Sequence, residues 1–110
     1  MILIETNNEK AIIIEIRGRL DTTNFSQLEQ KIMGHIEAGK IDILIDCSAM
    51  DYVSSSGLRI FLIALKKITA LNGQFVLCGL MDNIREIFEI SGFTSIFKIY
   101  DDQQTALHTF

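Results

Sequence analysis

The segment that decides the fold is DYVSSSGLR, residues 51–59. It places three consecutive serines between a β-branched residue and a glycine, directly before the apolar stretch LRIFLIALKKITAL at 58–71. Serine is among the best residues to cap a helix N-terminus, but a cap needs only one hydroxyl. The other hydroxyls therefore leave room for a second role, as a nucleophile or as an acceptor for a phosphate.

The stretch that follows the serines has the period of an amphipathic helix. Its apolar residues recur at three- and four-residue steps, with the charged residues elsewhere, which predicts a helix over 55–71 that ends before Gly73. The apolar face predicted from this spacing consists of Leu58, Phe61, Leu62, Leu65 and Ile68. We expect Phe61 and Leu62 to be buried.

The N-terminal part of the chain predicts a hairpin and a helix. Two short β-branched runs at 1–6 and 10–18 are typical of an antiparallel hairpin. From Phe25 the apolar period changes to that of a helix. Asn24 is expected to cap the start of this helix, and Gly39 to follow its end.

The rest of the chain alternates strands and helices. Residues 40–46, KIDILID, predict a short strand with both faces buried, because apolar residues occupy both parities. A loop is expected at 47–53. Beyond the serine helix, the pattern predicts strands at 75–80 and 95–100, and helices at 82–92 and 101–110.

The predicted order is β-β-α-β-α-β-α-β-α, which indicates an α/β protein. We expect residues 1–110 to form a single domain with a mixed, mostly parallel sheet that starts with the N-terminal hairpin and carries the helices packed on it. Ligands of such sheets bind at the carboxyl ends of the strands. Asp46 is predicted at such an end, and the serines meet a helix N-terminus there, where backbone N–H groups favour an anion.

Composition excludes several classes of function. The 110 residues carry a formal net charge of −4 with scattered basic residues, so a nonspecific nucleic-acid binder is not expected. No apolar run reaches the roughly 18 residues of a membrane span, and the N-terminus lacks the pattern of a signal peptide. Cys47 and Cys78 are expected to be buried free thiols, which fits a cytoplasmic protein. The residues suggest no metal or cofactor.

Other catalytic motifs fit poorly. The sequence VSSSG lacks the first glycine of a G-x-S-x-G nucleophile elbow, and only His35 and His108 could serve as a base. A P-loop is absent. An aspartyl-phosphate site at Asp46 would need paired acidic residues after the first strand, which the sequence does not supply. From the residues alone, capping and phosphate acceptance remain open for the serines.

Two motifs resemble those of a known family. The segment ILIDCSAMDYVSSSGLRIFL at 43–62 resembles the signature of STAS domains, the sulfate transporter and anti-sigma factor antagonist family. The segment IRGRLDTTN at 16–24 resembles the family's Gly-x-Leu-Asp motif before the first helix. The order of elements is similar along nearly the whole chain, and its length is most like that of free-standing bacterial anti-sigma factor antagonists.

The resemblance implies a regulatory binding module, not an enzyme. Its partner would be an anti-sigma factor that is a serine kinase of the histidine-kinase-like ATPase fold. Phosphorylation of one serine would release the kinase, and a serine phosphatase would reset the switch. The family's acceptor falls on Ser55. The residue before it is usually Asp, but here it is Ser54, which is a second candidate acceptor.

The resemblance also implies the surroundings of the acceptor. Asp46 matches the family's structural Asp at the end of the strand, where the loop begins. The expected partner-binding residues are Asp21, Thr22, Thr23, Ser54, Ser56, Gly57 and Arg59. We expect the loop at 21–23 to lie near the serines. The alternative within the same family is an accessory subunit of a lipid-transport ATPase, in which no phosphoswitch is required.

Overall fold

A computed structural model describes residues 1–110. They form one five-stranded sheet in the order β1-β2-β3-β4-β5. The strands are β1 (Ile2–Asn7), β2 (Ile12–Leu20), β3 (Asp42–Val53), β4 (Gln74–Cys78) and β5 (Lys98–Tyr100). The first pair is antiparallel, and the other three are parallel. The predicted fold class, with a hairpin leading into a mostly parallel sheet, is confirmed.

The helices cover both faces of this sheet. They are α1 (Phe25–Glu37), α2 (Ser55–Ala70), α3 (Asp82–Ile90) and α4 (Gln103–Leu107), with a 3-10 turn at Phe93–Ser95. The larger core lies between the sheet and the first three helices, and contains Ile43 and Ile45 of β3. The smaller core lies under α4, where Leu44 packs with Ala106. The prediction that this strand is buried on both faces is therefore confirmed.

Strand β3 is much longer than predicted. Residues 47–53, expected as a loop, continue the strand and pair with β2 as far as Leu20 and Val53. Two register shifts interrupt the pairing, because β3 has one extra residue opposite Glu15/Arg17 and another opposite Gly18/Arg19. Because bulges break the two-residue alternation of a strand, this part of β3 does not show a strand pattern in the sequence.

The buried face of α2 also differs from the predicted one. Phe61 and Ile68 are buried as expected, but Leu58, Leu62 and Leu65 are only half-buried. The remaining buried positions are Gly57, Ile60 and Ala64. Two of these are small residues, which let the helix backbone approach its neighbours closely. An apolar pattern that counts only large side chains therefore places the face slightly too far around the helix.

The last predicted strand is shorter than expected. Of residues 95–100, only Lys98–Tyr100 form β5. Of the preceding residues, Ser95 ends the 3-10 turn at Phe93–Ser95, which follows Gly92 in a left-handed conformation with φ 77°, and Ile96 and Phe97 lie between this turn and the strand. Phe93 and Phe97 pack edge to face, with ring centroids 5.8 Å apart. The apolar side chains of Ile96 and Phe97 made the segment before β5 resemble part of the strand.

Phe61 anchors α2 to the sheet, and this gives a stability prediction. Its ring centroid lies 6.3 Å from that of Phe75 in β4 and 6.4 Å from that of Phe88 in α3. Phe61→Ala should lower the free energy of unfolding by about 3–5 kcal/mol, because it leaves a cavity at a fully buried site. Half-buried Leu62 is the matched control, and Leu62→Ala should cost only about 1–2 kcal/mol. Urea denaturation checks both values, and equal losses would contradict the packing described.

Candidate functional site

Ser54 fixes the start of α2. Its backbone N–H donates to the carbonyl of Leu20 at 2.9 Å, and its own carbonyl accepts from the N–H of Leu58 at 3.0 Å. Its side-chain Oγ accepts from the N–H of Gly57 at 3.2 Å. The backbone of Ser54 is extended, with φ −86° and ψ 170°. Ser54 is thus the helix N-cap, in the geometry that favours serine.

Gly57 lets α2 lie directly against the ends of β2 and β3. A Cβ atom at this position would lie 2.8 Å from Cγ of Leu20 and 3.0 Å from Cγ2 of Val53. Both distances are too short for a side chain without movement of its neighbours. Since Asp21 directly follows Leu20, the loop at 21–23 begins one residue from the carbonyl that holds Ser54. The two loops predicted to be neighbours are therefore adjacent.

Asp21 organises its own loop. Its Oδ1 accepts from the N–H of Thr23 at 2.9 Å and from the hydroxyl of Thr23 at 2.6 Å. These bonds, the hydroxyl's above all, hold the pKa of the Asp21 carboxyl below its usual range, helped by Arg19. The side chains of Thr22 and Thr23 are on the surface. The loop thus presents a firmly ionised carboxylate beside the serines.

Asn24 does not cap α1 as predicted. Its Oδ1 accepts from the N–H of Asp21 at 2.9 Å, and its Nδ2 donates to the carbonyl of Arg19 at 2.8 Å. Because these bonds face back along the chain, no side-chain bond reaches the helix N–H groups. Asn24 therefore closes the loop around Asp21 from the other side.

Ser55 and Ser56 lie in the first turn of α2. Ser55 is the first helical residue, as the predicted helix over 55–71 has it, and it is exposed. Ser56 is half-buried and lines a groove of about 250 Å³ between α1 and α2, together with Phe25, Glu29, Arg59, Ile60 and Ile63. The backbone N–H groups of a first turn have no partners within the helix, and the helix dipole there favours negative charge.

Arg19 and Tyr52 were not predicted as part of this region. They face each other across β2 and β3, and the guanidinium carbon of Arg19 lies 4.0 Å from the centroid of the Tyr52 ring. Arg19 also forms an ion pair with Asp21 at 3.6 Å. Tyr52 is 40% exposed. The contact between Arg19 and Tyr52 depends on the register of β2 and β3, so the sequence alone does not predict it.

Asp46 is not in the serine region, and its predicted place at a strand end is wrong. It lies inside β3 and is buried, on the face covered by α4. Its Oδ2 accepts from Nε2 of Gln103 at 3.0 Å, and its Oδ1 accepts from the N–H of Ser48 at 3.0 Å. Asp46 therefore attaches α4 to the sheet, eight residues before the N-cap serine.

The remaining candidate groups are placed elsewhere. His35 pairs with Glu5 of β1, and His108 follows α4 on the opposite side of the sheet from α2.

Cys47 and Cys78 are buried, as expected. Burial raises the pKa of the Cys78 thiol to about 12 and that of Cys47 well above its usual value, so both stay protonated. No cluster of His, Cys, Asp and Glu suits a metal ion, and no helix is long and apolar enough to cross a bilayer.

The sequence and fold of this chain are similar to those of a known family. The model of the STAS domain matches residues 3–106. The chain belongs to the STAS domain family. It is 35% identical over 99 residues to BtrV of Bordetella bronchiseptica, a protein named as an anti-sigma factor antagonist, with 90% of this chain and 85% of that protein covered.

Solved STAS structures share the fold. The structure of a Thermotoga maritima protein described as an anti-sigma factor antagonist superimposes with a TM-score of 0.93 at 18% identity, over 97% of this chain and 92% of that one. The Bacillus cell fate determinant SpoIIAA in its phosphorylated form superimposes with a TM-score of 0.79 at 20% identity, over 98% of each chain. The resemblance found in the sequence is confirmed, and the named relatives are anti-sigma factor antagonists.

The cap geometry predicts different costs at adjacent serines. Ser54→Ala should lower the free energy of unfolding by about 0.5–2 kcal/mol, because it removes the acceptor for the N–H of Gly57. Ser55→Ala is the matched control and should change stability by less than about 0.5 kcal/mol, since Ser55 is exposed and has no side-chain bond. Denaturant titration measures both, and a larger loss at Ser55 would contradict the assignment of the cap.

Proposed function

We propose that this STAS protein is an anti-sigma factor antagonist whose partner is a serine kinase of the histidine-kinase-like ATPase fold. The unphosphorylated protein binds the kinase, and phosphorylation of Ser55 releases it. A serine phosphatase restores the binding form. The partner surface consists of the loop at 21–23 and residues 54–59 at the start of α2, and the exchange takes place in the cytoplasm.

The observation that carries this proposal is that two adjacent serines differ in their hydrogen bonding. The Oγ of Ser54 is committed to the cap, whereas Ser55 is exposed and free of side-chain bonds. A kinase can therefore reach the Ser55 hydroxyl without breaking the start of the helix. In the transfer, an Oγ–P bond forms with the γ-phosphoryl group of ATP, ADP leaves, and the hydroxyl proton is lost. SpoIIAA, of the same fold, has been solved in a phosphorylated form.

The electrostatics of the site support release without unfolding. A phosphate adds about −1.5 to −2 charges at neutral pH. At a helix N-terminus the dipole and the free N–H groups tolerate that charge. The cost falls on the complex, through repulsion, bulk and desolvation of the phosphate at the interface. A hundredfold weaker complex requires only about 2.7 kcal/mol.

An enzymatic role has little support. A nucleophilic serine needs a base within hydrogen-bond reach, whereas His35 is paired with Glu5 and His108 lies on the other side of the sheet. We propose that the protein is not an enzyme. A fluorophosphonate probe should therefore label none of the three serines.

The alternative is a STAS subunit of a lipid-transport ATPase without a phosphoswitch. The observation in its favour is Ser54, which stands where the family signature usually has Asp. Isolation of the protein from its native cell distinguishes the two functions. A kinase-type ATPase in the purified complex supports the switch, and a transporter ATPase supports the alternative.

Substitutions at Ser55 test the switch. With the copurified kinase and ATP, Ser55→Ala should stay bound, because the surface loses one hydroxyl and cannot accept phosphate. Ser55→Asp should bind more weakly, though less so than the phosphorylated protein, since one carboxylate has less charge than a phosphate. Calorimetric titration measures both affinities.

The control for added charge is Ser91→Asp, at an exposed serine beyond α3. It should bind like the unmodified protein. If Ser55→Ala were still released by ATP, or if Ser91→Asp weakened binding as much as Ser55→Asp, Ser55 would not be the switch.

Asp21 is the second element of the proposed surface. Asp21→Asn keeps an oxygen that can accept the bonds from Thr23 but removes the charge beside the serines. We expect the affinity for the kinase or the rate of phosphorylation to fall roughly twofold to fivefold, as for one exposed charge pair. The control is Asp82→Asn, which removes a carboxylate charge at an exposed position of α3. A variant with normal affinity and normal rate would limit Asp21 to a structural role in its loop.

A further inference from the structure

Arg59 differs from the other arginines of the protein. It is exposed, and it forms no salt bridge or side-chain hydrogen bond. The other three arginines each lie beside a carboxylate: Arg17 at 2.7 Å from Glu15, Arg19 at 3.6 Å from Asp21 and Arg85 at 3.5 Å from Asp101. Arg59 is therefore a cation without a partner in the unphosphorylated protein.

The position of Arg59 on α2 places it beside the proposed acceptor. It follows Ser55 by four residues, and residues four apart lie on the same helix face with Cβ atoms about 5–6 Å apart. The guanidinium group is suited to bind two oxygens of one phosphate. The acidic residue across the groove is Glu29 of α1, and it forms no salt bridge with Arg59. Arg59 therefore forms no ion pair with a carboxylate of its own chain.

We propose that Arg59 changes its ionic partner when the switch operates. In the phosphorylated protein Arg59 pairs with the phosphate on Ser55, and in the unphosphorylated protein it is free to bind an acidic side chain of the partner. This inference rests on the proposed function. Phosphorylation then acts twice on the same surface. It adds negative charge at Ser55, and it takes from the partner a cation that belongs to the binding surface.

The pairing can be tested without any kinase. Phosphoserine is introduced at position 55 during translation, and the pKa of the phosphate is measured by ³¹P NMR in the intact protein. A cation that binds the dianion lowers this pKa. Arg59→Gln should raise it by roughly 0.2–0.4 units, the size expected for one i,i+4 pair on an exposed helix. Arg59→Lys should restore most of the shift.

The control is Lys66→Gln. Lys66 is also exposed on α2, but it lies eleven residues from Ser55, about 16 Å along the helix axis. Its removal should leave the phosphate pKa unchanged. A phosphate pKa that does not respond to Arg59→Gln would overturn the proposal. Equal responses to Arg59→Gln and Lys66→Gln would also overturn it, because they would reflect net charge alone.

Binding to the kinase tests the partner half of the proposal. Arg59→Gln should weaken the unphosphorylated complex roughly twofold to fivefold, and leave the complex of the phosphorylated protein unchanged. An equal loss in both forms would show that the phosphate does not withdraw Arg59. If the NMR shift is present but no kinase phosphorylates Ser55, the pairing stands and the proposed function fails, so the two results are distinguishable.

Discussion

The candidate functional region depends on the contact between the end of β2 and the start of α2. The N–H of Ser54 is bonded to the carbonyl of Leu20, and Gly57 leaves room for the Leu20 side chain against the helix. Through this contact the loop that begins at Asp21 and the serines of α2 become one surface. A larger residue at position 57 would separate them, since its Cβ would overlap both Leu20 and Val53.

In the proposed switch, this contact lets a phosphate act on a partner without unfolding the domain. The cap at Ser54 bonds to backbone groups, so the adjacent hydroxyl of Ser55 can change without loss of the helix start. The charge of the phosphate is compatible with the helix N-terminus and, in our proposal, with Arg59. The phosphate would then cost the free protein little stability, and its main effect would be to weaken the complex with the partner.

Much of the fold follows from the sequence, because apolar periodicity records which side of each element is buried. The order of strands and helices and the two buried faces around Ile43–Ile45 were predicted in this way. The length of β3 was missed, since two bulges in this strand put the buried residues Cys47, Met50 and Val53 three positions apart. That spacing resembles neither a regular strand nor a helix.

The site was predictable as a region but not atom by atom. The motifs around Asp21 and Ser55 located both loops, yet any of the three serines could have been the cap, and only the observed start of α2 assigns that role to Ser54. Asp46 was predicted at a strand end because the predicted strand stopped at residue 46, whereas β3 continues to Val53. Arg19 and Tyr52 were missed because their contact depends on strand register. Which residues pair across two strands cannot be predicted from the sequence unless the positions of the bulges are known.

The central claim is that one serine holds the helix and the next one carries the signal. The most direct measurement is site-localised mass spectrometry of the protein after incubation with its copurified kinase and ATP. Our account predicts a single phosphate on Ser55. A phosphate on Ser54 or Ser56, or none at all with an active kinase present, would contradict it.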